Sequence, residues 1–128
     1  MYEYFARVTR VVDGDTFTAD FDLGFGILRR GVKIRLANVD TPETFRPYNS
    51  AEREHGQRAK TFVKDRIEGR DVIIRTKKDK KGKYGRLVAD VVFGHETDNE
   101  ETLSELLVEN DLIKLDRSEY IAMEQNSM

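Results

Sequence analysis

Cysteine and tryptophan are absent from this 128-residue chain, and there are only two prolines and two histidines. Without cysteine there is neither a disulfide framework nor a thiolate metal site, so stability has to come from a packed core. No apolar run approaches the ~20 residues that cross a bilayer as a helix. The stretch Met1 to Val12 contains Glu3, Arg7 and Arg10 and lacks the apolar segment of a secretory signal. A cytoplasmic product is therefore expected. There is no internal repeat, low-complexity segment or linker. The length suits one core and not two, which predicts a single domain over residues 1–128, with 115–128 as a short C-terminal tail.

Charge is abundant, at 36% of residues, and nearly balanced, with a net value of −2. Its distribution says more than its sum. Arg75 to Arg86 holds seven basic residues against one acidic, a local charge of +6, whereas Glu96 to Asp111 holds seven acids and no base. Attraction to phosphate acts over about one Debye length, ~8–10 Å in physiological salt, so the basic run can recruit a polyanion despite an acidic far face. Such binding would be modest in affinity and strongly salt-dependent.

Three segments carry chemistry. In Lys33 to Thr44 an apolar strand runs into Asp40-Thr41-Pro42-Glu43. Proline ends the ladder and pushes the preceding threonine toward an extended conformation. Ile34, Leu36 and Asn38 are expected on one face, with Lys33, Arg35 and Ala37 on the other. A cation, a hard oxygen ligand and a spare carboxylate so placed suit phosphodiester chemistry; the plainer alternative is a salt-bridged strand end. In Val11 to Thr16 the Asp13-Gly14 pair lies between alternating runs, a hairpin signal in which glycine supplies positive φ. That turn accounts for Asp13 and Gly14 but not for Asp15, where the next strand begins. In Lys83-Tyr84-Gly85-Arg86 an aromatic and a turn glycine precede an apolar strand, a combination that suits a nucleic-acid backbone with a base or sugar against the ring.

The periodicity predicts strands over Tyr2–Val12, Thr16–Phe21, Leu28–Val39, Asp71–Thr76 and Arg86–Phe93. Asp22 to Gly26 reads as an extended hairpin tip whose Leu23 and Phe25 pack back on the body, the alternative being that they touch substrate. A main helix is expected over Ala51–Glu68, firm only from Gln57 because Gly56 costs about 1 kcal/mol relative to alanine, and stopped by Gly69. Thr102-Leu103-Ser104-Glu105 is a capping box opening a short second helix, and Leu112–Leu115 a last extended piece. Tyr120, Ile121 and Met123 would add one apolar turn, too short to bury much area. His55 and His95 are expected on the surface.

Taken in order, Asp13-Gly14-Asp15-Thr16, then Arg35-Leu36 through Val39-Asp40-Thr41-Pro42-Glu43-Thr44, then Lys83-Tyr84-Gly85-Arg86, the chain resembles the staphylococcal nuclease family over roughly Val8 to Lys114. The resemblance implies an α+β, mainly β fold: a five-stranded OB-fold barrel with one main helix and a short second helix. It implies that Asp15, Asp40 and the Thr41 carbonyl hold calcium, a cation that takes six to eight oxygens. It makes Glu43 the general base, Arg35 and Arg86 the phosphate-gripping catalytic pair, and Lys83 and Tyr84 the substrate contacts. The activity implied is a calcium-dependent endonuclease of DNA and RNA, single strands preferred, leaving 5′-hydroxyl and 3′-phosphate ends and acting as a monomer with no membrane partner. The alternative is a non-catalytic nucleic-acid-binding module of the same fold. Where the family has two pocket tyrosines, Leu115 to Tyr120 offers only Tyr120, and the long C-terminal helix is cut short.

Overall fold

A computed structural model describes residues 2–81 and 85–126, apart from the side chains of 77–81. Five strands close a barrel: β1 (Tyr2–Asp13), β2 (Thr16–Asp22), β3 (Leu28–Leu36), β4 (Asp71–Lys81) and β5 (Leu87–Phe93). They run β3-β2-β1-β4-β5, and a parallel pairing of β3 with β5 shuts the ring at Ile34↔Leu87, Arg35↔Val88 and Leu36↔Ala89. A two-residue β6 (Glu101–Thr102) adds to β5. The helices are α1 (Ser50–Ile67), α2 (Leu103–Glu109) and α3 (Arg117–Asn126). This is the expected OB-fold architecture with one helix more.

Alternation places Val8, Phe17, Ala19, Ile34, Leu36, Ile74, Ala89 and Val91 inside the barrel. Ala59, Val63 and Ile67 of α1 and Leu103 and Leu107 of α2 complete the core. Each fully buried valine, leucine or phenylalanine contributes about 1.5–3 kcal/mol by leaving water.

Several expectations are corrected. Strand β3 stops at Leu36, and Asn38 adopts φ 68° and is exposed, so the alternation ends two residues before it. Helix α1 is continuous through Gly56, because its N-cap Asn49 accepts from Glu52 N at 3.0 Å and so fixes the first turn. Gly56 is there for space: a Cβ would lie 2.7 Å from the Pro42 carbonyl oxygen and 2.9 Å from that of Glu43. Leu112–Leu115 forms no strand.

His55 is not a surface residue; it is 3% exposed. Its Nε2 lies 2.7 Å from the Asp111 carbonyl, which can only accept, so Nε2 carries the proton. Nδ1 then accepts from the Tyr120 hydroxyl at 2.8 Å, and that hydroxyl accepts from Leu115 N at 3.1 Å. This chain of bonds, with Glu124 on Ser50 Oγ (2.7 Å) and Ala51 N (3.3 Å), docks α3 against the start of α1. Tyr120 is buried accordingly, whereas Ile121 and Met123 stay exposed.

Candidate active site at the closure of the barrel

Asp13 ends β1, Thr16 opens β2, and the two turn residues between them are Gly14 and Asp15. Neither has positive φ. Gly14 is required by packing instead, since a Cβ would meet the Thr41 side chain at 2.8 and 2.9 Å and Ala59 Cβ at 3.0 Å. The turn is thus pressed against the segment that follows β3. Asp15 Oδ2 accepts from Thr41 N at 3.0 Å, Oδ1 accepts from the Thr16 hydroxyl at 3.1 Å, and the Asp15 carbonyl accepts from Leu36 N at 2.9 Å.

Arg35 crosses from β3 into the same place. Its Nη1 donates to the carbonyls of Leu36 (2.8 Å) and Val39 (2.7 Å), which braces the chain past the strand end. Nη2 faces two carboxylates, Asp15 Oδ2 at 3.3 Å and Asp40 Oδ1, with which it makes a short contact. The salt-bridged strand end offered as the plainer alternative is therefore present. The same contacts also bring Asp15, Arg35 and Asp40 together, as the functional reading requires.

Beyond Asp40 the chain turns at buried Pro42 and presents Glu43, which is exposed. A residue the sequence reading missed holds this turn in place. Glu52, 2% exposed in the first turn of α1, accepts from Glu43 N at 3.3 Å and from Tyr48 N at 2.6 Å. Lys114 Nζ stands 3.8 Å from Glu52 Oε2, and Lys114 N donates to the Asp40 carbonyl at 2.8 Å. One buried carboxylate and one lysine thereby tie both acidic residues of the loop to α1 and to the segment after α2. The signal available in the sequence was a glutamate at the third helical position, which reads as ordinary capping and gives no hint of burial.

The electrostatics follow from the crowding of acids. Partial loss of solvent around the carboxyl, although the residue as a whole is exposed, is the main cause that pushes Glu43 above its ordinary range; Asp13, Asp15 and Glu52 add to the rise and Lys114 opposes it. Asp13 is raised as well, chiefly by burial and partly by Asp15, against the hydroxyl of Thr44 that donates to it at 3.0 Å. A concentration of negative charge on hard oxygens is what a divalent cation relieves. Thr41 Oγ1, buried beside the Gly14–Asp15 turn, has no hydrogen-bond partner. Among the described residues no three acidic or histidine side chains gather tightly enough to enclose a metal by themselves. Two carboxylates that converge on one cationic nitrogen do fit a hard, partly open cation site.

Arg86 directly precedes Leu87, the β5 residue paired with Ile34, so closure of the barrel brings its backbone alongside the end of β3 that carries Arg35. It is half-buried. Lys83 and Tyr84 lie outside the described residues. Arg75, counted with the basic run, belongs elsewhere: it pairs with Glu3 at 2.7 Å and Glu100 at 2.8 Å on the barrel wall. His95 joins that cluster through Glu3 at 3.0 Å.

Comparison with known proteins bears on this constellation. A family profile described as "Staphylococcal nuclease homologue" matches residues 33–126. The thermonuclease of Staphylococcus hyicus is 35% identical over 99 residues, covering 77% of this chain and 54% of that protein. The thermonuclease of Staphylococcus intermedius is 37% identical over 92 residues, or 72% and 51%. Endonuclease YhcR of Bacillus subtilis is 36% identical over 95 residues, 70% of this chain but 7% of that protein. The chain spans about half the length of the two thermonucleases it matches.

Proposed function

This chain belongs to the staphylococcal nuclease family, and from that premise we propose that it is a calcium-dependent endonuclease of DNA and RNA. Single strands are the preferred substrate, and the ends produced are 5′-hydroxyl and 3′-phosphate. The observation that carries the reading is the meeting of Asp15, Arg35 and Asp40 at one point, beside a Glu43 whose proton affinity is raised.

In this reading Asp15, Asp40 and the Thr41 carbonyl hold calcium. The ion, when bound, supplies Lewis-acid stabilisation of the phosphate oxygens. The chain's own residues do the rest. Glu43 accepts the proton of a water whose oxygen attacks phosphorus; the bond to the 5′-oxygen breaks, that oxygen takes a proton from solvent water and leaves as a hydroxyl, and the phosphate stays on the 3′ side. A carboxylate raised from its ordinary ~4.3 is a better base at neutral pH than an unperturbed one. Arg35 keeps Nη1 on two carbonyls and offers Nη2 to the phosphate in competition with Asp15 and Asp40. Arg86 approaches from β5. Guanidinium forks gain strength as charge builds on the phosphoryl oxygens, which a lysine point charge reproduces poorly.

Cleavage of labelled single-stranded DNA and RNA, in calcium, magnesium and chelator, tests the proposal. Calcium is expected to support cleavage and chelation to abolish it, with magnesium slow because it demands tight octahedral geometry and sheds water reluctantly. Intact substrate with the folded, calcium-loaded protein would leave only the non-catalytic binding module.

A further inference from the structure

The β2–β3 hairpin ends in a tip that does not pack back on the barrel, which removes the first of the two readings its sequence allowed. Leu23, Phe25, Ile27 and Leu28 are 46%, 101%, 56% and 52% exposed. Gly24, Phe25 and Gly26 all have positive φ, at 81°, 55° and 72°. For a phenylalanine that region is disfavoured. The side chain is therefore held in water against both the hydrophobic effect and its own backbone preference. The turn closes on itself: Leu23 N donates to the Ile27 carbonyl and Ile27 N to the Gly24 carbonyl, each at 2.9 Å. Nothing inside the fold requires an aromatic at its apex.

Basic residues outnumber acids around the tip, with Arg29, Arg30 and Lys33 against Asp20 and Asp22. Arg29, Arg30 and Lys33 follow it on β3, are exposed, and make no ion pair or side-chain hydrogen bond among the described residues. The nearby acids are already engaged. Asp22 accepts from Gly24 N at 2.8 Å and Asp20 from Gly31 N at 2.9 Å. Behind the tip lies a hollow of about 290 Å³, floored by the tilted rings of Tyr4 and Phe21, 5.6 Å apart, and bounded by Leu23, Arg29, Gly85 and Leu87. Gly85 and Leu87 flank Arg86 in the chain. The hollow thus runs from the phosphate-gripping end of β5 to the base of the tip, along the β3 strand that carries Arg35.

We infer that the tip and hollow form a second contact for the nucleic-acid strand, outside the nucleotides at the scissile bond, an inference that rests on the nuclease reading above. Bases stack on Phe25 and enter the hollow over Tyr4 and Phe21, while Arg29 and Arg30 take the phosphates between them. Aromatic faces alternating with unpaired cations bind single strands without demanding sequence, and in OB-folds generally the second and third strands present the oligonucleotide-binding face. An anionic lipid surface would also accept an apolar tip with arginines at its base. The continuity of the hollow with Arg86 favours the strand.

Fluorescence anisotropy of labelled single-stranded DNA, on the Glu43→Gln protein in calcium, tests this with two probes: a dinucleotide and an oligomer of about 12 nucleotides, within the range a single OB-fold covers. The longer probe should bind more tightly. Phe25→Ala should weaken its binding by about 5–150-fold, the equivalent of one stacked base, and change dinucleotide binding less than about twofold on the same scale. Arg29→Ala with Arg30→Ala should flatten the salt slope for the longer probe by about 1.4, at roughly 0.7 per phosphate contact. Equal binding of the two probes, or parental binding of the longer probe by both variants, overturns the inference. So does Phe25-dependent flotation with phosphatidylserine vesicles, or a Phe25-dependent dimer on size exclusion, if oligomer binding is unchanged. The two readings fail separately: a tip that binds on a protein that never cleaves sinks the nuclease alone, and cleavage with parental binding by the tip variants sinks the tip alone.

Discussion

Strand β3 has a different kind of surface at each end. At Arg35 the side chains are tied down: Nη1 by two carbonyls, Asp15 by Thr41 N, the Thr16 hydroxyl and Arg35, and Glu52 by two backbone N–H groups and Lys114. At Leu28 the neighbouring tip offers Phe25 wholly to solvent, with Arg29 and Arg30 unpaired among the described residues. The two proposed roles give this difference a reason. Attack at phosphorus, if it occurs at the Arg35 end, would tolerate only about 0.5 Å of misplacement, which side chains fixed by several bonds can meet. Capture of a flexible strand at the tip would need area and charge, which exposure provides.

The largest effect should come from removing groups at the rigid end. Glu43→Gln and Arg86→Lys should each lower single-turnover cleavage by about 10²–10³-fold, the scale of a lost transition-state donor. Affinity for a short oligonucleotide should change far less. Arg35→Lys should lose as much rate and also melt at lower temperature, because an ammonium cannot serve the Leu36 and Val39 carbonyls in the fork geometry that holds them at 2.8 and 2.7 Å. Equal thermal losses for the two arginine variants would erase the distinction between bracing and gripping.

Glu52→Ala sharpens the comparison from behind the site. It strands the N–H groups of Glu43 and Tyr48 and removes the partner of Lys114. Denaturant unfolding should show a loss of about 1–3 kcal/mol, the cost of leaving such groups unpaired. Cleavage should slow in the parent but not further in a Glu43→Gln background, since the effect travels through Glu43. Additive rate losses in that cycle would make Glu52 merely structural.

Gly56→Ala sets two effects against each other. Alanine favours a helix over glycine by about 1 kcal/mol, but its Cβ would overlap the Pro42 and Glu43 carbonyls at 2.7 and 2.9 Å. Overpacking of this kind costs about 1–3 kcal/mol, so a net loss of stability with slower cleavage is expected, read from melts and initial rates. A gain in stability would mean that the Glu43 turn yields easily and is not rigid at all.

The smallest effect concerns Asp90, which lies just past the Arg35 end of β3, after the Ala89 that pairs with Leu36, and takes no part in the proposed chemistry. Burial raises its pKa, against the N–H groups of Ser104 and Val91 and the side chains of Ser104 and Thr102. The folded state therefore holds this proton more tightly than the unfolded chain. Its contribution is fully present below the unfolded value of about 3.9, and is lost as pH rises through the raised folded pKa. Replacement by asparagine should flatten the pH dependence of stability in that window, measured by urea unfolding at several pH values.

What the sequence determined by itself was the order of elements and the candidate side chains that the fold gathers, Asp15, Arg35 and Asp40. Alternation marked the five strands, helical spacing and Gly69 marked α1, and the Asp-Thr-Pro-Glu break marked the end of β3 within a few residues. These signals are local: period, capping and proline act within one turn or one strand pair. The tertiary structure decided everything that depends on distance across the chain. It made Gly14 and Gly56 spacers, placed His55 and Glu52 inside, turned Arg75 to the acids of the barrel wall, and left Phe25 in water. Burial and close approach are properties of two elements meeting, and the residues that meet here belong to different elements, from four to more than sixty positions apart, where no periodic pattern records them.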